Sequence, residues 1–254
     1  AAAAERTLPR LVTLQELRGD LHMHTKRTDG RADAETMARA ALAAGLEYIA
    51  ITDHSRAIAM ANGLDEAGAI DHARSIRSLN ERLEGITVLA GIECDIRPDG
   101  TMDLADDCLS QLDIVIASVH SAFGLDPERM TDRLLRALSC PWVDVLAHPT
   151  GRLILKREPY RFDADRVFAA AAAAGVAIEI NSQVDRLDLD EVHARTARDR
   201  GVKIVIDSDA HSPAALGNLR WGVSVARRAW LQADDVLNTQ PLQAFRTLLR
   251  RHRS

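Results

Sequence analysis

The segment GDLHMHTKRTDG, residues 19 to 30, sets His22 and His24 one residue apart and follows them with Asp29. Side chains two apart on a strand share a face, so a His-x-His pair is a ready two-point clip for a metal ion. The same spacing returns in SDAH, where Asp209 stands two residues before His211. Between the clips lie His54 in ITDHS, Glu93 in GIECD, His120 in SVHS and His148 in AHPTG. Together with Asp29 these are more donors than the roughly four that one tetrahedral zinc takes, so two or three divalent ions sharing a carboxylate are expected. Mixed imidazole and carboxylate ligation suits Zn²⁺, Mn²⁺ or Fe²⁺ better than Mg²⁺ or Ca²⁺, which prefer oxygen.

A cluster of this kind lowers the pKa of a bound water to about 7 and clamps the attacking and leaving oxygens of an in-line displacement. Phosphate ester hydrolysis is the natural use. Such a substrate needs cations, and Arg152, four residues after His148 in AHPTGR, is the first candidate, since a guanidinium grips phosphate in a bidentate fork. Arg152 and Asp209 are therefore the expected catalytic residues. Arg186 in NSQVDRLDL and Lys26 in the first loop are the other expected substrate contacts, whereas Lys156, Arg157 and Arg161 read equally well as solvated charge. Ser118 near His120 and Cys94 beside Glu93 form no nucleophile–base unit, and no glycine-rich phosphate loop with its lysine occurs.

These donors need a scaffold that brings distant segments to one place. Short β-rich runs ending in DLHMHT, YIAITDHS, TVLAGIECD, IVIASVH, VDVLAHPT, VAIEINS and KIVIDSDAH alternate with amphipathic segments at 33 to 44, 66 to 84, 128 to 139, 164 to 174, 190 to 200 and 213 to 230. That alternation marks an α/β fold with a parallel sheet, and near-continuous runs such as YIAIT and IVIAS mark strands buried on both faces. Closure into a seven-stranded TIM-like barrel places the chemistry at the C-terminal strand ends. All the runs but VAIEINS stop on the candidate ligands. His72, His193 and His252 fall on helices or the tail, where a solvated surface role is expected.

A chain of 254 residues, 46% hydrophobic and 27% charged, can bury one large core. Its formal net charge of −5 offers no global attraction to nucleic acid, so a polyanion must be held by local cations or metals. Cys94, Cys108 and Cys140 form no Cys-x-x-Cys pair and read as reduced thiols. No run is long enough for a membrane span and the alanine-rich start lacks the order of a signal peptide, which suggests the cytoplasm. Residues 1–16 read as a connector entered midway, leading into one domain over 17–254.

The set DLHMHTKRTDG, ITDHS, GIECDI, SVHS, AHPTGR and SDAH resembles, in order and spacing, the PHP (polymerase and histidinol phosphatase) superfamily over about residues 17 to 250. The resemblance implies a distorted (β/α)₇ barrel around a trinuclear metal centre. Within the superfamily, ANGLDE, RPDGTMDL, HPTGRL, REPY, DRLDL and VLNT are most similar to the C-terminal PHP domain of bacterial family X DNA polymerases. That likeness implies a metal-dependent, manganese-stimulated 3′ to 5′ exonuclease with a polymerase core in the same parent chain. Carried over by position, it gives one metal His22, His24, Glu93 and Asp209, a second Glu93, His120 and His148, and a third Asp29, His54 and His211. The chain departs from the family in a more basic first loop, TKRTDG, and in Asp207, where a neutral residue is expected.

The leading expectation is a phosphoesterase acting on DNA 3′ ends. One alternative is a small-molecule phosphomonoesterase of the histidinol phosphatase kind; another is a non-enzymatic, metal-stabilised accessory module of a polymerase. An amidohydrolase barrel also opens with His-x-His, but it needs a bridging lysine where this chain has Glu93.

Overall fold

The computed structural model describes residues 8–249. Seven strands, β1 (Gly19–Asp20), β2 (Tyr48–Ile51), β3 (Thr87–Asp95), β4 (Ile114–Ser118), β5 (Val145–Leu146), β6 (Ala177–Asn181) and β7 (Ile204–Asp207), lie side by side in chain order, each parallel to the next. Between and after them run α1 (Ala34–Ala43), α2 (Glu66–Asn80), α3 (Asp106–Leu109), α4 (Pro127–Ser139), α5 (Ala164–Ala174), α6 (Glu191–Asp199), α7 (Leu219–Arg228) and α8 (Leu242–Leu248). The arrangement is the expected (β/α)₇ barrel.

The first and last strands meet just beyond their ends, where Met23 bridges Ala210 and the His24 amide donates to the Ala210 carbonyl at 2.9 Å. The barrel is distorted because β3 serves two neighbours in turn: Thr87–Ala90 pairs with β2 and Gly91–Asp95 with β4. Gly91 sits at that changeover, where a Cβ would fall 2.8 Å from Ile114 and 2.9 Å from Thr52.

Aspartates start five of the helices, since Asp33, Asp65, Asp126, Asp163 and Asp190 each accept an N–H of the first turn, a cap worth about 1 kcal/mol. The helices cover the outside of the sheet with one apolar layer. A second layer fills the barrel, where Leu21, Tyr48, Leu89, Ile114, Ile116 and Val145 pack on Phe245 and Leu249 of the C-terminal segment. Phe245 stacks on Tyr48 with ring centroids 5.2 Å apart, closing the floor at the N-terminal strand ends.

Three sequence expectations are adjusted. The segment 213 to 230 divides into a 3₁₀ turn, Pro213–Asn218, and α7; the helix expected to 84 ends at Asn80; and α3 and α8 are additional. Residues 8 to 16, read as a connector, are bonded to the barrel: the Val12 amide donates to Leu231 O at 3.0 Å and its side chain is buried. No disulfide links Cys94, Cys108 and Cys140. Among the described residues no helix is long and apolar enough to cross a membrane.

Candidate metal centre

All nine expected ligands converge at the C-terminal mouth of the barrel. Glu93, two residues before the end of β3, is the hub: His54 Nδ1 lies 2.8 Å, His148 Nε2 2.9 Å, His120 Nε2 3.3 Å and His22 Nε2 3.4 Å from its carboxylate. Asp209 approaches His24 Nε2 at 3.2 Å, and Asp29 approaches His211 Nε2 at 3.2 Å and His54 Nε2 at 3.3 Å. Four overlapping sets have donor atoms within 4.8 Å of one another: His24–Asp29–His54–His211, His22–His24–Asp209, His22–Glu93–His148 and His54–Glu93–His120. Two of the ligands, His148 at φ 27° and Asp209 at φ 50°, hold left-handed backbone that non-glycine residues rarely adopt, as strained functional sites often do. Gly30 lets the first loop fold back on His24, whose carbonyl oxygen would lie 2.4 Å from an added Cβ.

The donors are short of partners. His22 Nε2, both nitrogens of His24, His54 Nδ1, His148 Nδ1 and Glu93 Oε2 are buried without a hydrogen bond. Orphaned buried polar atoms cost about 1–3 kcal/mol each, so a cluster of them fits groups that divalent ions complete. Burial would push the Glu93 carboxyl up, yet the imidazoles of His120, His54 and His22 hold it well below the ordinary carboxylate range. Burial and the nearby Arg186 charge push His148 down to about 3, leaving it a neutral donor.

A ring of polar groups behind the ligands fixes their tautomers. His22 Nδ1 donates to Glu179 Oε1 at 2.7 Å, leaving Nε2 with its lone pair toward the centre. Glu179 also accepts the His148 amide at 2.7 Å. His120 Nδ1 donates to Asp95 at 3.1 Å and His211 Nδ1 to the Asp209 carbonyl at 2.9 Å. Ser118 Oγ donates to Glu93 Oε1 at 2.6 Å and Asn181 Nδ2 to Asp209 Oδ2 at 2.9 Å. Glu179 and Asn181 are the contribution of β6, the strand without a candidate ligand; sequence reasoning passed over them, although two polar residues in AIEIN interrupt a run buried throughout. His72 corrects the expectation of a solvated role. It is buried, and its Nε2 lies 2.9 Å from Asp53, which also accepts from Thr25 and Thr28 and so braces the loop carrying Asp29. His193 is half-exposed on α6, and His252 lies outside the described residues.

The three expected substrate contacts are placed differently. Arg186 is nearly buried, with Nε 3.7 Å from Asp209 Oδ2 and with Nε and Nη1 lacking hydrogen-bond partners, a guanidinium turned to the ligands with capacity to spare. Arg152 instead grips backbone: Nε donates to the Arg186 carbonyl at 2.7 Å, Nη2 to the Leu187 carbonyl, and Nη1 lies 3.6 Å from Asp190. Lys26 is exposed on the first loop. Asp207, the unexpected acid, lies buried beneath the centre and accepts the Leu21 amide at 2.8 Å, and burial with the charges of Asp20 and Glu179 pushes its carboxyl well above the ordinary range. An open cavity of about 430 Å³ leads outward from Asp29, Asp209 and His211 past Arg31, Gln183 and Val184.

Comparison with known proteins accords with this geometry. The model of the PHP domain family matches residues 20–183. The chain is 41% identical over 242 residues to the "DNA polymerase/3′-5′ exonuclease PolX" of Bacillus subtilis, an alignment covering 95% of this chain but 42% of that protein. It is 33% identical over 231 residues to a "probable phosphatase" of Thermoanaerobacter sp., covering 87% of this chain and 89% of that one. Among solved structures, the histidinol phosphate phosphatase of Lactococcus lactis, complexed with zinc, L-histidinol and phosphate, superposes with a TM-score of 0.54 at 16% identity, over 82% of this chain and 93% of that one.

Proposed function

The chain belongs to the PHP domain family as a metal-dependent phosphoester hydrolase, and on that premise we propose that it removes nucleotides from DNA 3′ ends. The observation carrying the choice of substrate is the open mouth: a cavity of about 430 Å³ runs from three ligands to solvent, leaving room for a nucleoside attached to the reacting phosphate. The 41% identity to a polymerase/exonuclease supports the same choice. The chain covers less than half of that relative, and we place a polymerase core in the same parent protein, acting in the cytoplasm.

His22, His24, Asp29, His54, Glu93, His120, His148, Asp209 and His211 would hold two or three divalent ions of manganese, zinc or iron. Such ions, when bound, make hydroxide available near neutral pH and draw charge from phosphoryl oxygens. Glu179, Asp95 and the Asp209 carbonyl hold ring protons on the outer nitrogens of His22, His120 and His211, so that their inner nitrogens stay bare. Arg186 binds a non-bridging phosphoryl oxygen, oriented through its contact with Asp209. Arg152 supports that arginine by fixing the peptide it stands on, and Lys26 meets the strand farther out.

The test is manganese-dependent digestion of a 5′-labelled single-stranded oligonucleotide beside p-nitrophenyl phosphate, with Asp209→Ala as control. Stepwise shortening by the wild type and none by the control is expected. Turnover of the small ester alone would select the phosphomonoesterase reading, which the near full-length likeness to a "probable phosphatase" favours. Wild-type rates in Asp209→Ala would overturn the metal assignment.

A further inference from the structure

Two large apolar side chains are wholly exposed, Met60 at 101% and Leu155 at 102%, and both stand on loops that leave the mouth-side ends of strands. Single exposed apolar residues are ordinary on protein surfaces. Leu155 is not single. Ile154 beside it is 39% exposed and Val184, on the next mouth loop, 59%. The two loops are tied together, since the Ile154 amide donates to the Asp185 carbonyl at 2.6 Å and Lys156 Nζ reaches Asp185 at 3.4 Å. Asp185 immediately precedes Arg186, whose guanidinium faces the metal ligands. The apolar ridge is therefore continuous with the substrate side of the centre.

The ridge is also built and held in advance. Leu153 and Arg157 close a tight hairpin, exchanging amide-to-carbonyl bonds of 2.9 and 2.7 Å. Arg157 fastens it below, donating to Gly151 O at 2.7 Å and lying 3.8 Å over the Phe123 ring. At the tip, Leu155 adopts φ 62°, a left-handed conformation that glycine or asparagine takes more readily. A bulky apolar residue both strained and fully exposed breaks two local rules at once, and such breaches collect at functional positions. Lys156, largely exposed, follows directly, so the tip sets apolar surface beside one positive charge. That is the pattern a single nucleic-acid strand requires, with faces of unstacked bases for apolar contact and phosphates for cations.

We propose that the hairpin tipped by Leu155, with Ile154 and Val184, is a platform for a nucleobase of the single strand whose phosphate is being hydrolysed. The proposal rests on the nuclease reading above. On this proposal a base inside a duplex has no free face to offer the ridge.

Leu155→Gly tests this cleanly, because glycine suits the backbone there and folding should not suffer. Leu155→Met restores an apolar tip, and Leu42→Ser, an exposed residue near the end of α1, controls for loss of surface apolarity. The readouts are the ratio of kcat/KM on a single-stranded oligonucleotide to that on bis(p-nitrophenyl) phosphate, and anisotropy of a fluorescein-labelled oligonucleotide with metal-free protein. We expect Leu155→Gly to lower the ratio about tenfold through KM and to weaken anisotropy binding similarly, with Leu155→Met and Leu42→Ser near wild type and no comparable effect on blunt duplex. Wild-type ratio and binding in Leu155→Gly would overturn the platform while leaving the nuclease reading intact. Failure of the wild type to shorten the oligonucleotide while it turns over the small ester would overturn the nuclease reading itself, and the platform with it.

Discussion

Glu179 offers the sharpest test of how the centre is built, because it touches the ligands without being one of the nine. Its two oxygens accept different donors, Oε1 the His22 ring at 2.7 Å and Oε2 the His148 amide at 2.7 Å. Glu179→Gln keeps the size and offers one acceptor in place of two. If the amide oxygen stays with His22, an NH₂ group faces the His148 N–H. If it turns over, the NH₂ faces His22 Nδ1, the ring proton is driven to Nε2, and the lone pair meant for the centre is lost. Partners of this kind are worth about 10- to 100-fold in metal affinity or activity, or roughly 1.4 to 2.7 kcal/mol. The stability of the metal-free protein feels two opposed effects, loss of a buried charge that burial disfavours and a new donor facing a donor worth about 1–3 kcal/mol, so it should change less than metal affinity does. The assay is competition for Mn²⁺ or Zn²⁺ against a chromogenic chelator, paired with thermal melts of metal-free protein. Expected are weaker affinity, a Tm of the metal-free protein within a few degrees of wild type, and activity recovered in part at high metal. Wild-type affinity together with wild-type kcat at limiting metal would refute the tautomer argument.

The two arginines divide by role. Arg186→Met should raise KM for bis(p-nitrophenyl) phosphate about 10- to 100-fold, the loss of a charge-assisted bond to phosphate, whereas Arg152→Lys, which cannot hold two carbonyls at once, should lower kcat/KM only about three- to tenfold. Steady-state kinetics on both variants check this, and a larger loss at Arg152 would return it to direct phosphate contact. Asp188, buried and accepting the Thr150 amide at 3.0 Å, gives a pH test at a residue outside the nine. Burial pushes it up to about 6 from an ordinary 3.8, so the folded protein binds the extra proton between those values, stability falls as pH rises through that window, and the cost is complete above it. Two units correspond to about 3 kcal/mol, so Asp188→Asn should raise Tm at pH 7.5 by several degrees and change it little at pH 4, as read by melts across pH. Equal Tm shifts at both pH values would show that the carboxylate charge is not the cause.

The convergence of the nine candidate ligands was legible because a parallel barrel carries its strand ends to one mouth whatever the loops do, so polar residues closing apolar runs could be grouped without knowing any distance. What lay behind them was less so. Strand β1 has two ladder residues and β5 two, so DLHMHT and VDVLAHPT read as longer strands than they form. Glu179 carried a signal, a charge inside a run with no exposed face, that only the idea of a proton-holding partner makes meaningful. His72 carried one too, sharing the buried face of Ala69, Ala73 and Ile76 on α2. Arg152 and Arg186 mark where letters alone run out. Nearness in sequence to His148 favoured Arg152, but a guanidinium is directed by the acceptors around it, and those of Arg152 are the carbonyls of residues 186 and 187, which only the folded loop brings within reach. The arginine with unoccupied donors beside the candidate ligands is the one 38 residues after the histidine, and that vacancy, a property of packing rather than of spacing, is why Arg186 is the one proposed as the phosphate contact.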